Sequence, residues 1–241
     1  MRTPLVSVVT PSYNQGQFIE RTIKSVLGQS YERVEYIIVD GASTDNTPEI
    51  LKAYEGKISR IVIEPDEGQS EAINKGFRLA GGELVGWLNS DDILYPNCVE
   101  EIVKLYNRYP DGAIFYGSVI ARIDEFGVVI GMRERFIESK DYLLNYDYNV
   151  VQPGSFYRRE IVDEVGYLNE KEMYCMDLDL WLKLLDFGNV YYTRKRPLAA
   201  FRVWPNSKTS TGGVEFVRNI MEVLKRHNAD SFSRNIGRLW W

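Results

Sequence analysis

Four short apolar runs, separated by segments of helical periodicity, fill residues 5–95 and constrain the fold more than any other feature of the chain. "LVSVVT" (5–10) is β-branched and stopped by Pro11; "VEYIIVD" (34–40), "ISRIVIE" (58–64) and "ELVGWLN" (83–89) are similar. Between them, "QFIERTIKSVLGQ" (17–29) places Phe18, Ile19, Thr22, Ile23, Val26 and Leu27 on one helical face. Thr47 and Pro48 suit the cap and first turn of a second helix. "QSEAINKGFRLAGG" (69–82) is a third helix with a glycine stop. Buried strands alternating with helices predict an α/β fold, a mostly parallel central sheet with helices on both faces. Right-handed crossovers then bring the C-terminal ends of the strands to one edge, where such sheets bind ligands.

Pro96 opens a helix over 96–109, and beyond residue 110 the pattern loosens. "GAIFYGSV" (112–119) and "FGVVIGMRERF" (126–136) read as antiparallel strands, and "KDYLLNY" (140–146) and "YRREIVDEVG" (157–166) as short helices. "DLDLWLKLLDFG" (177–188) is an amphipathic helix, "NVYYTRKRPLAAFRVW" (189–204) reads as strand, and 213–228 is a last helix. No flexible linker separates the halves, so one compact unit is expected.

Composition narrows the function classes. A net charge of −5 argues against a nucleic-acid partner, because neutralising phosphates needs a basic surface. With a single histidine, His227, a histidine-rich zinc site is excluded, and His227 beside Lys225 and Arg226 reads as an exposed bystander. Cys98 and Cys175 form no CxxC pair and fit a reducing compartment. The first apolar run is too short for a signal peptide or a membrane span, so a cytoplasmic location is expected. The tail "SFSRNIGRLWW" (231–241) sets Trp240 and Trp241 near Arg234 and Arg238. That composition suits peripheral contact with a membrane interface, and a tail folded back on the core or packed in an oligomer is the competing reading. The sequence does not indicate an oligomeric state.

The polar residues after each strand carry the chemistry. Strand one ends in "PSYNQG", strand two in "DGASTDN", strand three in "EPDEGQSEA" and strand four in "NSDD". Each alone is turn chemistry. Together they form an acidic rim, which repels itself unless a cation and an anionic ligand complete it. Asp91 and Asp92 are all-oxygen donors without cysteine or histidine beside them, a choice suited to Mg²⁺ or Mn²⁺ held with phosphate oxygens. Helix capping before Pro96 is the plainer role for one of the pair. Asp40 could accept hydrogen bonds from the ring N–H of a base, with Tyr13 offering an aromatic face, or could form an Asx-turn with Gly41. Neither GxGxxG nor GxxxxGK[ST] occurs.

These stretches, with "QPGSFYRREIVDEVGYLNE" and "MDLDLWLKLLDFG", resemble a family 2 glycosyltransferase of the GT-A fold over residues 5 to 210, nearly the whole chain. The resemblance implies a nucleotide-sugar-binding half (1–95), a merged acceptor-binding half (96–210) and a C-terminal helix and tail (211–241). It implies that Pro11, Tyr13 and Asp40 contact the nucleoside, UDP being the expected carrier, and that Gln69 and Asn74 line the donor-sugar pocket. "NSDD" corresponds to the family's DxD-type motif, with Asp92 as the foremost ligand of Mn²⁺ or Mg²⁺ and Asp91 a ligand nearer the sugar or ribose. Asp177 would be the catalytic base of an inverting transfer to a glycan or lipid-linked acceptor, as in surface polysaccharide or glycolipid synthesis. Its helix N-terminus would keep it ionised and lower its basicity. Asp179 reads as structural or acceptor-facing. Arg202 and Lys208 would neutralise phosphate.

Three positions depart from the family pattern: Ile73 where an arginine is frequent, Met176 where a glutamate precedes the aspartate, and Trp204 where relatives carry a histidine. The last two leave room for a non-catalytic nucleotide-sugar-binding module. A sugar nucleotidyltransferase is the other rival, but it needs a lysine-rich triphosphate loop that "PSYNQGQF" lacks.

Overall fold

Strand β1 (Val6–Ser12) is buried at every residue, as a strand covered on both faces must be. In the computed structural model, which describes residues 2–239, Val6 and Val8 point into one hydrophobic cluster and Val9 into another on the opposite face. Helix α1 (Ile19–Leu27) buries Ile19, Thr22, Ile23 and Val26, whereas Leu27 faces solvent and not the core. Strand β2 (Val34–Asp40) pairs parallel with β1, then come α2 (Thr47–Ala53), β3 (Arg60–Ile63) parallel to β2, and α3 (Gln69–Leu79). Strand β4 (Leu84–Trp87) lies parallel on the other side of β1. The C-terminal ends of all four strands therefore share one edge.

The remaining elements are β5 (Ile93–Leu94), α4 (Cys98–Arg108), β6 (Gly112–Gly117), β7 (Val119–Ile123), β8 (Val129–Glu134) and α5 (Lys140–Asn145). They continue with β9 (Phe156–Arg158), α6 (Arg159–Glu164), α7 (Met176–Leu184), β10 (Asn189–Thr193), β11 (Ala199–Arg202), α8 (Lys208–Thr211), α9 (Gly213–Arg226) and α10 (Arg234–Leu239). Two sheets result: a seven-stranded one in the order β10-β6-β9-β4-β1-β2-β3, and a four-stranded one in the order β5-β11-β7-β8. Only β9 runs against its neighbours in the large sheet.

Three sequence expectations for the second half change. Residues 112–117 do not pair with the 126–136 segment; β6 is buried at every position and enters the large sheet between β10 and β9. Only β7, whose burial is partial, forms the antiparallel hairpin with β8. The segment 157–166 begins as strand, because Tyr157 fills the gap between Val85 and Ile114 before the helix starts at Arg159. The 189–204 run splits at Pro197 into two strands that belong to different sheets. The tail reading rests on Trp240 and Trp241, which lie outside the described residues. Among those residues, no helix is long and apolar enough to cross a membrane.

Helix α3 sits close on β1. A Cβ at Gly76 would come 2.2 Å from Val9 Cγ1, so only hydrogen fits there. Gly76→Ala is expected to destabilise by about 1–3 kcal/mol in urea denaturation, as overpacked cores do, and Val9→Ala in the same chain should recover part of the loss.

Candidate active site

The polar ends of β1, β3 and β4 and the first residue after β2 open onto one cavity of about 1110 Å³, which the start of α7 and the α8 segment close from the other side. Two loops make its first wall. Asn14 adopts a left-handed backbone (φ 52°), its side-chain oxygen accepts the Thr44 amide at 2.8 Å, and its own amide donates to Ser43 Oγ at 2.8 Å. The Gly16 amide donates to Asp45 at 2.9 Å. These bonds hold the β1 and β2 turns together and present Pro11 and the exposed ring of Tyr13 to the cavity.

Asp40 does not reach that cavity. Its carboxylate is fully buried and accepts the Ser43 amide at 2.8 Å and the Ser43 hydroxyl at 2.7 Å, so it locks the turn. The acids that do face the cavity here are Glu67 and, beside Gly41, Asp66, both after β3. Gly41 makes room for Asp66, since a Cβ there would meet Asp66 Oδ2 at 2.7 Å. Burial raises the Asp66 carboxyl above its ordinary range.

The paired acids after β4 also divide. Asp92 is buried, off the cavity, with Oδ1 accepting the Arg202 backbone amide at 2.8 Å and Oδ2 lying 3.3 Å from Asn89 Nδ2. Burial, and then the charge of Asp91, raise its carboxyl well above the ordinary range. Asp91 lines the cavity, and Trp204 Nε1 donates to its Oδ2 at 2.9 Å. Trp204 in turn stands edge-on to Phe18, with ring centroids 5.1 Å apart. The side chain at the departure from the family pattern therefore orients a carboxylate.

Arg202 is not a cavity residue either. It is 1% exposed, and its guanidinium donates to the carbonyls of Asp91 (2.6 Å), Asp124 (2.7 Å) and Glu125 (3.1 Å). Its Nε and Nη1 donors are spent on backbone, and the side chain is buried off the cavity, away from a phosphate there. Asn74 is likewise buried away from the cavity, clamping α3 to the Leu168 backbone through bonds of 3.0 Å in both directions.

Gln69 and Lys208 do face the cavity, in one network. Lys208 Nζ donates to Gln69 Oε1 at 3.1 Å, Gln69 Nε2 to Asn89 Oδ1 at 2.8 Å, and Asn89 Nδ2 to Gln152 Oε1 at 3.2 Å. The Lys208 amine is lowered by desolvation among the atoms of the cavity wall, against the pull of Asp177. Asn89 and Gln152 were not singled out by sequence; the signal for Asn89 was its place as the first residue of "NSDD".

Asp177 lines the cavity in the first turn of α7, its Oδ1 accepting the Leu178 amide at 2.8 Å. Burial lifts its carboxyl to about 6, the opposite of the lowering expected from the helix N-terminus. The magnitudes explain the reversal: that lift from 3.8 is worth roughly 3 kcal/mol, against about 0.3–1 kcal/mol from a helix end. Asp179 faces away and anchors α9, with Lys183 Nζ at 3.3 Å, Arg226 Nη1 at 3.1 Å and His227 Nε2 at 2.9 Å. His227 is thus a mostly buried hydrogen-bond partner of Asp179 and not an exposed bystander.

Among the described residues no group of three or more histidine, cysteine or acidic side chains is placed to hold a metal. Of the two acids of "NSDD", only Asp91 lines the cavity. An oxygen donor of this kind fits Mg²⁺ or Mn²⁺ if a ligand's phosphate oxygens and water supply the other positions, as is common for these ions.

A sequence profile described as glycosyl transferase family 2 matches residues 7–166. The glycosyltransferase GlyG of Streptococcus pneumoniae is 37% identical, over 94% of this chain and 80% of that protein. Against two other curated relatives, glycosyltransferases of Rickettsia typhi and Rickettsia felis, the chain spans 61% and 33% of their length. The fold superposes on Staphylococcus aureus TarS residues 1–349 in complex with UDP-GlcNAc, with a TM-score of 0.72, 18% identity and coverage of 93% of this chain and 67% of that one. It also superposes on the mannosyltransferase PcManGT of Pyrobaculum calidifontis in complex with GDP-Man and Mn²⁺, with a TM-score of 0.70, 17% identity and coverage of 95% and 66%. Both likenesses are of fold, and the fold is the GT-A fold that the sequence implied.

The raised Asp177 carboxyl has a consequence for stability. With a folded value of about 6 and an ordinary unfolded value near 4, the folded state holds the proton more tightly, so stability falls as pH rises through that window. Asp177→Asn is expected to raise the melting temperature at pH 7 by roughly 6–12 °C, and the gain should shrink towards pH 4 and vanish below it. A scan of melting temperature against pH for both proteins checks this.

Proposed function

The chain belongs to glycosyltransferase family 2, and from that premise we propose that it transfers a glycosyl group from a nucleotide-diphosphate sugar to an acceptor hydroxyl, with inversion and with a divalent metal. The observation that supports this best is the pairing, across one cavity, of Asp91 at the end of β4 with Asp177 at the start of α7. Pro11, Tyr13 and Asp66 would seat the nucleoside, and UDP is the carrier we propose, since the ring N–H of uracil suits a carboxylate such as Asp66. Lys208 would meet the diphosphate, steadied by Gln69. Asp91 would hold Mn²⁺ or Mg²⁺, which when bound supplies positive charge to the leaving diphosphate.

The acceptor hydroxyl loses its proton to the Asp177 carboxylate as its oxygen bonds to the anomeric carbon. The bond from that carbon to the phosphate oxygen breaks, and the electron pair leaves with the nucleoside diphosphate. A base near 6 is ionised at neutral pH yet more basic than an ordinary carboxylate, which suits the task. Assembly of a surface polysaccharide or glycolipid is the cellular role this reading favours.

A thermal-shift series with UDP, TDP, GDP, CDP and ADP, each with and without Mn²⁺, tests the proposal. One nucleotide at a hundred times its dissociation constant should stabilise by about 2.7 kcal/mol, mainly when metal is present. Asp91→Ala should lose the metal-dependent part. No shift with any nucleotide would sink the reading. Asp177→Asn should cut turnover by about 10²-fold or more and leave the nucleotide shift in place. In the parent protein turnover should rise with pH to a plateau above about 6, because the ionised carboxylate is the active form. Donor hydrolysis without acceptor separates an enzyme from a binding module, which should show none.

A further inference from the structure

The β7–β8 hairpin turns three arginines into the cavity. Ile120 lies opposite Arg133 and Arg122 opposite Gly131, so Arg122, Arg133 and Arg135 share one face of the hairpin, and all three line the cavity. Arg135 is partly engaged, with Nη1 donating to the Glu134 carbonyl at 3.3 Å and Nε 3.9 Å from Asp147 Oδ2. Among the described residues, Arg122 and Arg133 have neither an ion pair nor a hydrogen bond to an acceptor. The cavity also holds Asp66, Glu67, Asp91 and Asp177, and none of these pairs with them. In a chain of net charge −5, two guanidinium groups without counter-charges beside a third on a concave wall suit an external anion.

Its strands, β7 and β8, are different ones from those that carry the proposed diphosphate contacts. The proposed diphosphate contacts are Asp91, just before β5, and Lys208. Trp204, just past β11, holds the Asp91 carboxylate, and from β11 the arginine strands β7 and β8 are one and two strands away, about 5 and 10 Å at ordinary strand spacing. Phe201 on β11, beside Arg122 in register, adds an aromatic face between the two regions.

We infer that the acceptor is anionic: Arg122 and Arg133, with Arg135 beside them, bind an oxyanion, phosphate or carboxylate, carried by the acceptor near the hydroxyl that receives the sugar. This inference rests on the glycosyltransferase reading for the word acceptor, while the anion site stands on the hairpin alone.

Titration calorimetry on the full chain, with and without UDP, uses three probes: tri(glycerol phosphate), trigalacturonate and neutral maltotriose. A charged trimer is expected to bind about tenfold or more tightly than maltotriose. Preference for the phosphodiester or for the uronate tells which source of oxyanion the site takes. The double substitution Arg122→Gln/Arg133→Gln should remove the preference, and Arg122→Lys/Arg133→Lys should retain part of it. The UDP-induced thermal shift should be the same in all three proteins. Equal binding of charged and neutral trimers, or a preference that survives the glutamine pair, overturns the inference. Loss of the UDP shift in the glutamine pair overturns it as well, since the arginines would then serve the donor. If UDP fails to shift even the parent protein while the charge preference holds, the donor reading fails and the anion site remains.

Discussion

The buried carboxylate of Asp92 is the joint on which the site depends. It receives the backbone N–H of Arg202 at 2.8 Å, and the Arg202 side chain returns to the Asp91 carbonyl and on to those of Asp124 and Glu125. The Thr22 hydroxyl on α1 lies 2.9 and 2.7 Å from the carbonyls of Ser90 and Asp92. This knot fastens the end of β4, in the large sheet, to β11, in the small one. Together with the β5–β11 pairing, it fixes the wall carrying Trp204 and the hairpin arginines relative to Asp91. A buried acid is costly unless its oxygens are satisfied, and here the hydrogen bonds that satisfy them also align the two sheets.

The same division of labour recurs at the strand ends. Asp40 and Asp92 are inward, hydrogen-bonded acids that shape turns; Asp66 and Asp91 are the cavity-facing acids beside them. A carboxylate that has spent its lone pairs on its own backbone makes a rigid frame and a poor ligand. The neighbouring one keeps acceptor capacity for a base, a metal or a phosphate. Desolvation acts on the cavity-facing members too: it raises Asp66, Asp91 and Asp177, and at Asp177 it outweighs the helix end. The site thereby combines a basic carboxylate with a cationic wall in a single cavity.

Much of the frame was legible in order along the chain. The strands at 5–10, 34–40, 58–64 and 83–89 declare themselves through β-branched runs, because a strand buried on both faces has to be apolar throughout. The turn residues after them mark the ligand edge, because parallel strands with right-handed crossovers must end there. Gln69, Lys208, Asp91, Tyr13, Pro11 and Asp177 were found this way or through the family resemblance, and the cavity gathers all six. The second half was harder to read, since β6, β9 and β10 find their neighbours across long sequence separations, and a continuous apolar run does not say which sheet it will enter.

By itself, then, the sequence determined the class of fold, the edge that carries polar groups and the oxygen-rich character of the site, all consequences of local periodicity and residue chemistry. Only the tertiary structure decided which acid of each cluster faces the cavity. It buried Arg202 and Asn74 as staples, drew His227 into the Asp179 cluster, and set Trp204 on Asp91. It also set Arg122 and Arg133, on the β7–β8 hairpin, along the cavity wall. Those outcomes depend on backbone donors and neighbouring strands far away in the chain, and side-chain direction follows from the partners that packing brings within hydrogen-bonding distance.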